Sequence, residues 1–70
     1  MDVIDQIRRR IVKALELTED ANEQAIRAQH PVLEDRLREI QSLGGLLDKA
    51  RSHCDKAETA MLKYIRLQSE

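Results

Sequence analysis

Ile26-Arg27-Ala28-Gln29-His30-Pro31-Val32-Leu33-Glu34-Asp35 holds the only proline of a 70-residue chain, and its reading decides the fold. Proline disfavours helical geometry at the residue before it, yet its fixed φ and missing N–H suit the first position of a new helix. A helix arriving at this stretch should stop near Gln29, and another should begin at about residue 31. Glu34 and Asp35 then fall in the first turn of the second helix, where the positive end of the dipole favours carboxylates, and Glu34 stands four residues before Arg38. A connection of two or three residues makes the two helices antiparallel neighbours.

Upstream, Ile4, Ile7, Ile11, Ala14, Thr18, Ala21, Ala25 and Ala28 form an unbroken 3-4 series, the spacing of a heptad seam. Asp2, Asp5, Arg9, Lys13, Glu16, Glu19, Asp20, Glu23 and Arg27 gather on the opposite side at about 100° per residue. Asp5 to Arg9 and Glu23 to Arg27 have favourable i,i+4 spacing. The first helix is expected over about 2–29. Downstream, Val32, Leu33, Leu37, Ile40, Leu43, Leu47, Ala50, Cys54, Ala57, Met61 and Tyr64 continue an apolar stripe, and Lys63 and Arg66 suit a helix C-terminus. The second helix is expected over about 31–69. Gly44-Gly45 interrupts it at a cost of about 2 kcal/mol against two alanines, and the stripe slips there. The fold expected is an all-α, antiparallel two-helix hairpin with a long second helix, a single domain spanning 1–70. The alternative is three helices with a break at Gly44-Gly45.

Setting Ala28 opposite Leu33, Ala25 opposite Leu37 and Ala21 opposite Ile40 places small residues against large ones. The same register sets Ala14 against Leu47, Ile11 against Ala50, Ile7 against Cys54 and Ile4 against Ala57, where the first helix ends. The second helix should overhang it by about ten residues, or about 15 Å. That overhang carries Met61, Leu62, Tyr64, Ile65 and Leu67. On the first helix Val12, Leu15, Leu17 and Ile26 widen the apolar arc beyond what one neighbouring helix can cover. The expected partner interface is therefore Met61, Leu62, Tyr64, Ile65, Leu67, Val12 and Leu15, with Ala57 and Ala60 allowing close approach and Lys63 and Arg66 wet at its rim.

Apolar residues make up 41% of the chain and charged ones 36%, with 12 basic against 13 acidic side chains. No stretch reaches the roughly 18 uncharged apolar residues of a membrane helix, and Asp2 and Asp5 stand where a secretory signal would be positive. The chain reads as cytoplasmic and complete. A single cysteine excludes an internal disulfide, and two histidines without a paired CxxC leave a structural zinc site short of ligands. His53 and Cys54 diverge by about 100° on a helix, so Cys54 reads as a buried thiol on the seam rather than a nucleophile. The sequence holds no Gly-rich phosphate loop, no HExxH and no Ser-His-Asp set, so no catalytic, cofactor-binding or metal-ligating residue is assigned and an enzyme is not expected.

The most basic patch, Arg8-Arg9-Arg10 with Lys13, is the candidate phosphate contact. Its three arginines point about 100° apart, the net charge is −1, and no aromatic residue lies nearby for base stacking. Glu16, Glu19, Asp20 and Glu23 read as a solvated surface. The function expected is protein–protein interaction, by a small adaptor or chaperone that buries an apolar helical face against a second copy in a four-helix bundle or against a helical partner. A small dimeric nucleic-acid-binding regulator using Arg8, Arg9, Arg10 and Lys13 is the alternative. In length and architecture the chain resembles small all-helical adaptors and the co-chaperones of bacterial secretion systems. That resemblance is one of shape and implies no particular residues.

Overall fold

A computed structural model describes residues 2–29 and 32–69 and consists of α1 (Val3–Arg27) and α2 (Leu33–Ser69). The expectations for His30 and Pro31 lie outside the described residues. Asp2 caps α1 from an extended backbone, its Oδ1 accepting the Ile4 N–H at 3.3 Å, so one of the unpaired donors of the first turn is satisfied. At the other end the Ala28 N–H donates to the Gln24 carbonyl at 2.9 Å. Thr18, Thr59 and Ser69 bond back to the carbonyls of Ala14, Asp55 and Ile65, which satisfies their hydroxyls inside the helix.

Side-chain bonds at two levels tie the helices together. The Arg10 guanidinium lies 3.2 Å from His53 Nδ1, and the Gln24 amide donates to the Glu39 carboxylate. Moving from the first bond to the second climbs fourteen residues along α1 and descends fourteen along α2, so the helices are antiparallel and in one constant register. At 1.5 Å per residue α2 is about 55 Å long, which accounts for the longest dimension of the molecule, 57 × 15 × 13 Å. Among the described residues, nothing but a pair of helices lies side by side across the short axes.

The line of contact runs down columns of alanine. Ala14, Ala21, Ala50 and Ala57 are the buried residues, at 3–8% exposure. Around them Val3, Ile7, Arg10, Leu17, Gln24, Ala25 and Ala28 of α1 and Asp35, Glu39, Leu43, Leu46, His53 and Ala60 of α2 are half-buried. This corrects the expected seam. Ile7, Ala14, Ala21, Ala25, Ala28, Leu43, Ala50 and Ala57 stay in or beside it, but Ile4, Ile11, Thr18, Leu33, Leu37, Ile40, Leu47 and Cys54 are exposed. The register also moves by about two residues, since Arg10 meets His53 where the expected pairing set residue 10 near residue 51. Small side chains let the two backbones close in, and once they have done so the bulkier isoleucine and leucine columns have no room between them.

The second helix is continuous as expected, and the alternative of a break at Gly44-Gly45 is not found, because α2 runs through both glycines and neither has a positive φ. Leu43 and Leu46 bracket the pair and pack against α1, so the helix is held from both sides of the weak point. Ion pairs run i,i+3 from Lys13 to Glu16, Asp35 to Arg38 and Asp48 to Arg51, at 3.4–3.8 Å. Arg38 thus turns to Asp35 and not to the expected Glu34. Such exposed pairs contribute about 0.2–1 kcal/mol each.

A methyl group added at Gly45 meets nothing within 4 Å. Gly45→Ala is therefore expected to stabilise the chain by about 1 kcal/mol, seen as a rise in thermal midpoint of about 4–8 °C. Ala21→Leu forces volume into the closest approach of the helices and is expected to cost about 1–3 kcal/mol. Glu19→Leu, on an exposed position, should leave the melt almost unchanged.

Candidate functional site

With the seam fixed, every other position falls on one of two sides of a two-helix layer. A shallow groove on one side brings Gln6, Arg9, Arg10 and Lys13 of α1 together with His53, Lys56 and Ala60 of α2. At 100° per residue the same side carries Glu16, Asp20, Glu23 and Arg27, and on α2 Ser42, Lys49, Ser52, Lys63 and Arg66. It is polar from end to end.

The other side is its opposite in character. Ile4, Ile11, Thr18 and Ala25 recur at steps of seven along α1, and Leu33, Ile40, Leu47, Cys54 and Met61 recur at steps of seven along α2. In an antiparallel pair these two columns flank the same edge of the seam, with Leu15, Leu37, Gly44 and Ile65 next to them on the same face. Asn22, Arg36, Arg51 and Glu58, each eighteen residues from a member of these columns, stand among them. The large apolar members, from Met61 at 44% to Leu33 at 67%, are exposed along the whole length of the layer.

In the observed register Ala60 comes level with Val3, so residues 61–69 run past the start of α1 and are all exposed. Met61, Leu62, Tyr64, Ile65 and Leu67 sit on this overhang as expected from the sequence. They point in several directions. Met61 and Ile65 extend the apolar face, Tyr64 and Leu67 extend the line of the seam beyond its partner helix, and Leu62 faces outward. Leu15 lies on the apolar face, whereas Val12 sits on the outer edge of α1 beside Asp5, Arg8, Arg9 and Lys13. Sequence reasoning missed Ile4, Ile11, Leu33, Leu37, Ile40 and Leu47 as members of this face by assigning them to the interior. The slip of the stripe around residues 47–54 was the available signal, because it marks two overlapping heptad series on one helix.

The candidate phosphate contacts are dispersed. Arg8 flanks the apolar side, Arg10 is half-buried against His53, and Arg9 and Lys13 remain in the polar groove, where Lys56 joins them and Glu16 lies 3.6 Å from Lys13. Desolvation in the seam lowers the His53 pKa below its ordinary 6.5, and Arg10, Lys56 and Lys13 add to this through charge repulsion. A guanidinium can only donate, so His53 Nδ1 accepts and the neutral ring carries its proton on Nε2. Cys54 is an exposed free thiol on the apolar face, which corrects its placement as a buried one. Among the described residues no group of three or more His, Cys, Asp or Glu is placed to hold a metal ion, and no helix is long and apolar enough to cross a membrane. No protein-family model matches the chain, and comparisons with curated proteins and with solved structures find no significant similarity.

Because folded His53 takes up a proton less readily than the unfolded chain, the unfolded state gains protons first as the pH falls through 6.5. The stability associated with His53 is present above that pH and is lost on acidification. His53→Gln is expected to lose less stability than the wild type between pH 7.5 and 5.5 in denaturant titrations, and equal losses would show that His53 is not the group responsible.

Proposed function

We propose that the chain is a non-enzymatic protein–protein interaction module, a small cytoplasmic helical adaptor or chaperone whose apolar face is covered by a second copy or by a helical partner. The observation that supports this reading is the two-sided layer, polar along one side and lined by exposed isoleucine, leucine and methionine along the other. A surface helix ordinarily turns such a stripe inward, and a concentration of exposed large apolar side chains on one face supports a place where another surface belongs. Within this reading a co-chaperone of a secretion system is one form, supported by shape.

A second reading is supported by the shallow polar groove lined by Arg9, Arg10, Lys13 and Lys56, although Arg10 is turned to His53 and Lys13 to Glu16. It makes the chain a small nucleic-acid-binding regulator whose phosphate contacts lie on the polar side. Counterion release would then make binding fall steeply with added salt, whereas contact through the apolar face would respond little.

Thermal melts at concentrations a hundredfold apart test the first reading, since burial that occurs only on association makes the midpoint rise with concentration. Replacing Tyr64 and Ile65 together by alanine is expected to weaken association by more than about 2 kcal/mol. Identical midpoints at monomer mass would overturn the reading.

A further inference from the structure

We infer that the occupant of the apolar face is a second copy of this chain, laid antiparallel on the first to close a four-helix bundle, an inference that rests on the interaction-module reading above. Area is the first argument. A compact folded chain of 8.1 kDa exposes about 4,500 Å², and this hairpin exposes 5705 Å². Covering that surplus on two copies removes about 2,400 Å² from water, which falls among obligate homodimers at about 2,000–5,000 Å².

The second argument is where the helices have their centres. The Arg10–His53 and Gln24–Glu39 bonds set Leu15 level with Asp48 and Lys49. Leu15 is the midpoint of α1, and Arg51, the midpoint of α2, lies within three residues of that level. A two-fold axis through this level, between the layers and perpendicular to the helices, centres α1 on its counterpart and α2 on its counterpart at once. An axis along the helices would instead leave both overhangs at one end, at diagonal corners, without a neighbour of their own length.

The perpendicular axis makes the surface self-complementary. The Leu15 side chains of the two copies meet on it. On α2, Asp48 of each copy comes beside Arg51 of the other. Met61 and Ile65 on each overhang reach Leu37 and Leu33 of the other copy, which are 52% and 67% exposed in the hairpin alone. Gly44, beside which a Cβ would meet nothing within 4 Å, comes level with Cys54 of the other copy and leaves room for it.

Sedimentation equilibrium with circular dichroism, followed by copper-catalysed air oxidation, tests the arrangement. The wild-type chain is expected at dimer mass. Leu15→Cys combined with Cys54→Ser puts one exposed thiol per copy on the axis and is expected to give a disulfide-linked dimer. Wild-type Cys54 residues stand about 15 Å apart along the bundle, beyond the roughly 7 Å Cα separation that a disulfide spans, and are expected to stay free. A wild-type dimer that links through Cys54, or that fails to link through position 15, overturns the antiparallel axis. A monomer with little helix overturns self-association and leaves another protein to supply the missing surface. A fully helical monomer with a cooperative melt overturns both this inference and the interaction-module reading.

Discussion

The close approach of the two helices along one seam, with Ala14 against Ala50, Ala21 level with Leu43 and Ala57 level with Ile7, is the contact on which everything else in the hairpin depends. Alanine contributes little apolar area, so the contact is weak per residue, but it brings two helix backbones near enough for long stretches of main chain to pack. The larger side chains are then displaced to the flanks. A chain with its isoleucines and leucines in the seam would hold together better as a monomer and have less to offer a partner. This one places its strongest hydrophobic groups where only a further surface can use them.

The polar bonds across the seam have a different task. Arg10 with His53 and Gln24 with Glu39 are half-buried, and such pairs add little net stability once their desolvation is counted. The small side chains at the centre of the seam, Ala14, Ala21, Ala50 and Ala57, do little to resist sliding. Two matched polar contacts at a fixed separation select one register, as a single polar residue does in a coiled-coil core.

The two helices, their antiparallel course and the overhang were legible in the sequence, because Pro31 and the apolar periodicity act locally and do not depend on which residues meet. The choice of seam was not. Along α1 the column of Ile7, Ala14, Ala21 and Ala28 is shared by two heptad series, one completed by Ile4, Ile11 and Thr18 and the other by Val3, Arg10, Leu17 and Gln24. Apolarity favours the first, whereas close packing with α2 selects the second. The partner of Arg10 is 43 residues away, and nothing in the local pattern announces it. The same blindness moved Cys54 to the interior. Gly44-Gly45 kept a broken helix open as the alternative, since the penalty for two glycines is local and the packing of Leu43 and Leu46 that outweighs it is not.

The overhang is the part of α2 with the least tertiary support. Residues 61–69 have only their own helix bonds, and a terminal segment without tertiary contacts opens at almost no free-energy cost. Lys63 and Arg66 lie within it, on backbone that a protease specific for basic residues can take up whenever the last turns open. Burying Met61 and Ile65 against another surface closes the helix over both bonds. On the proposed reading, occupancy of the apolar face is thereby converted into resistance to cleavage, and the segment exposed to the protease is the one proposed to hold the partner.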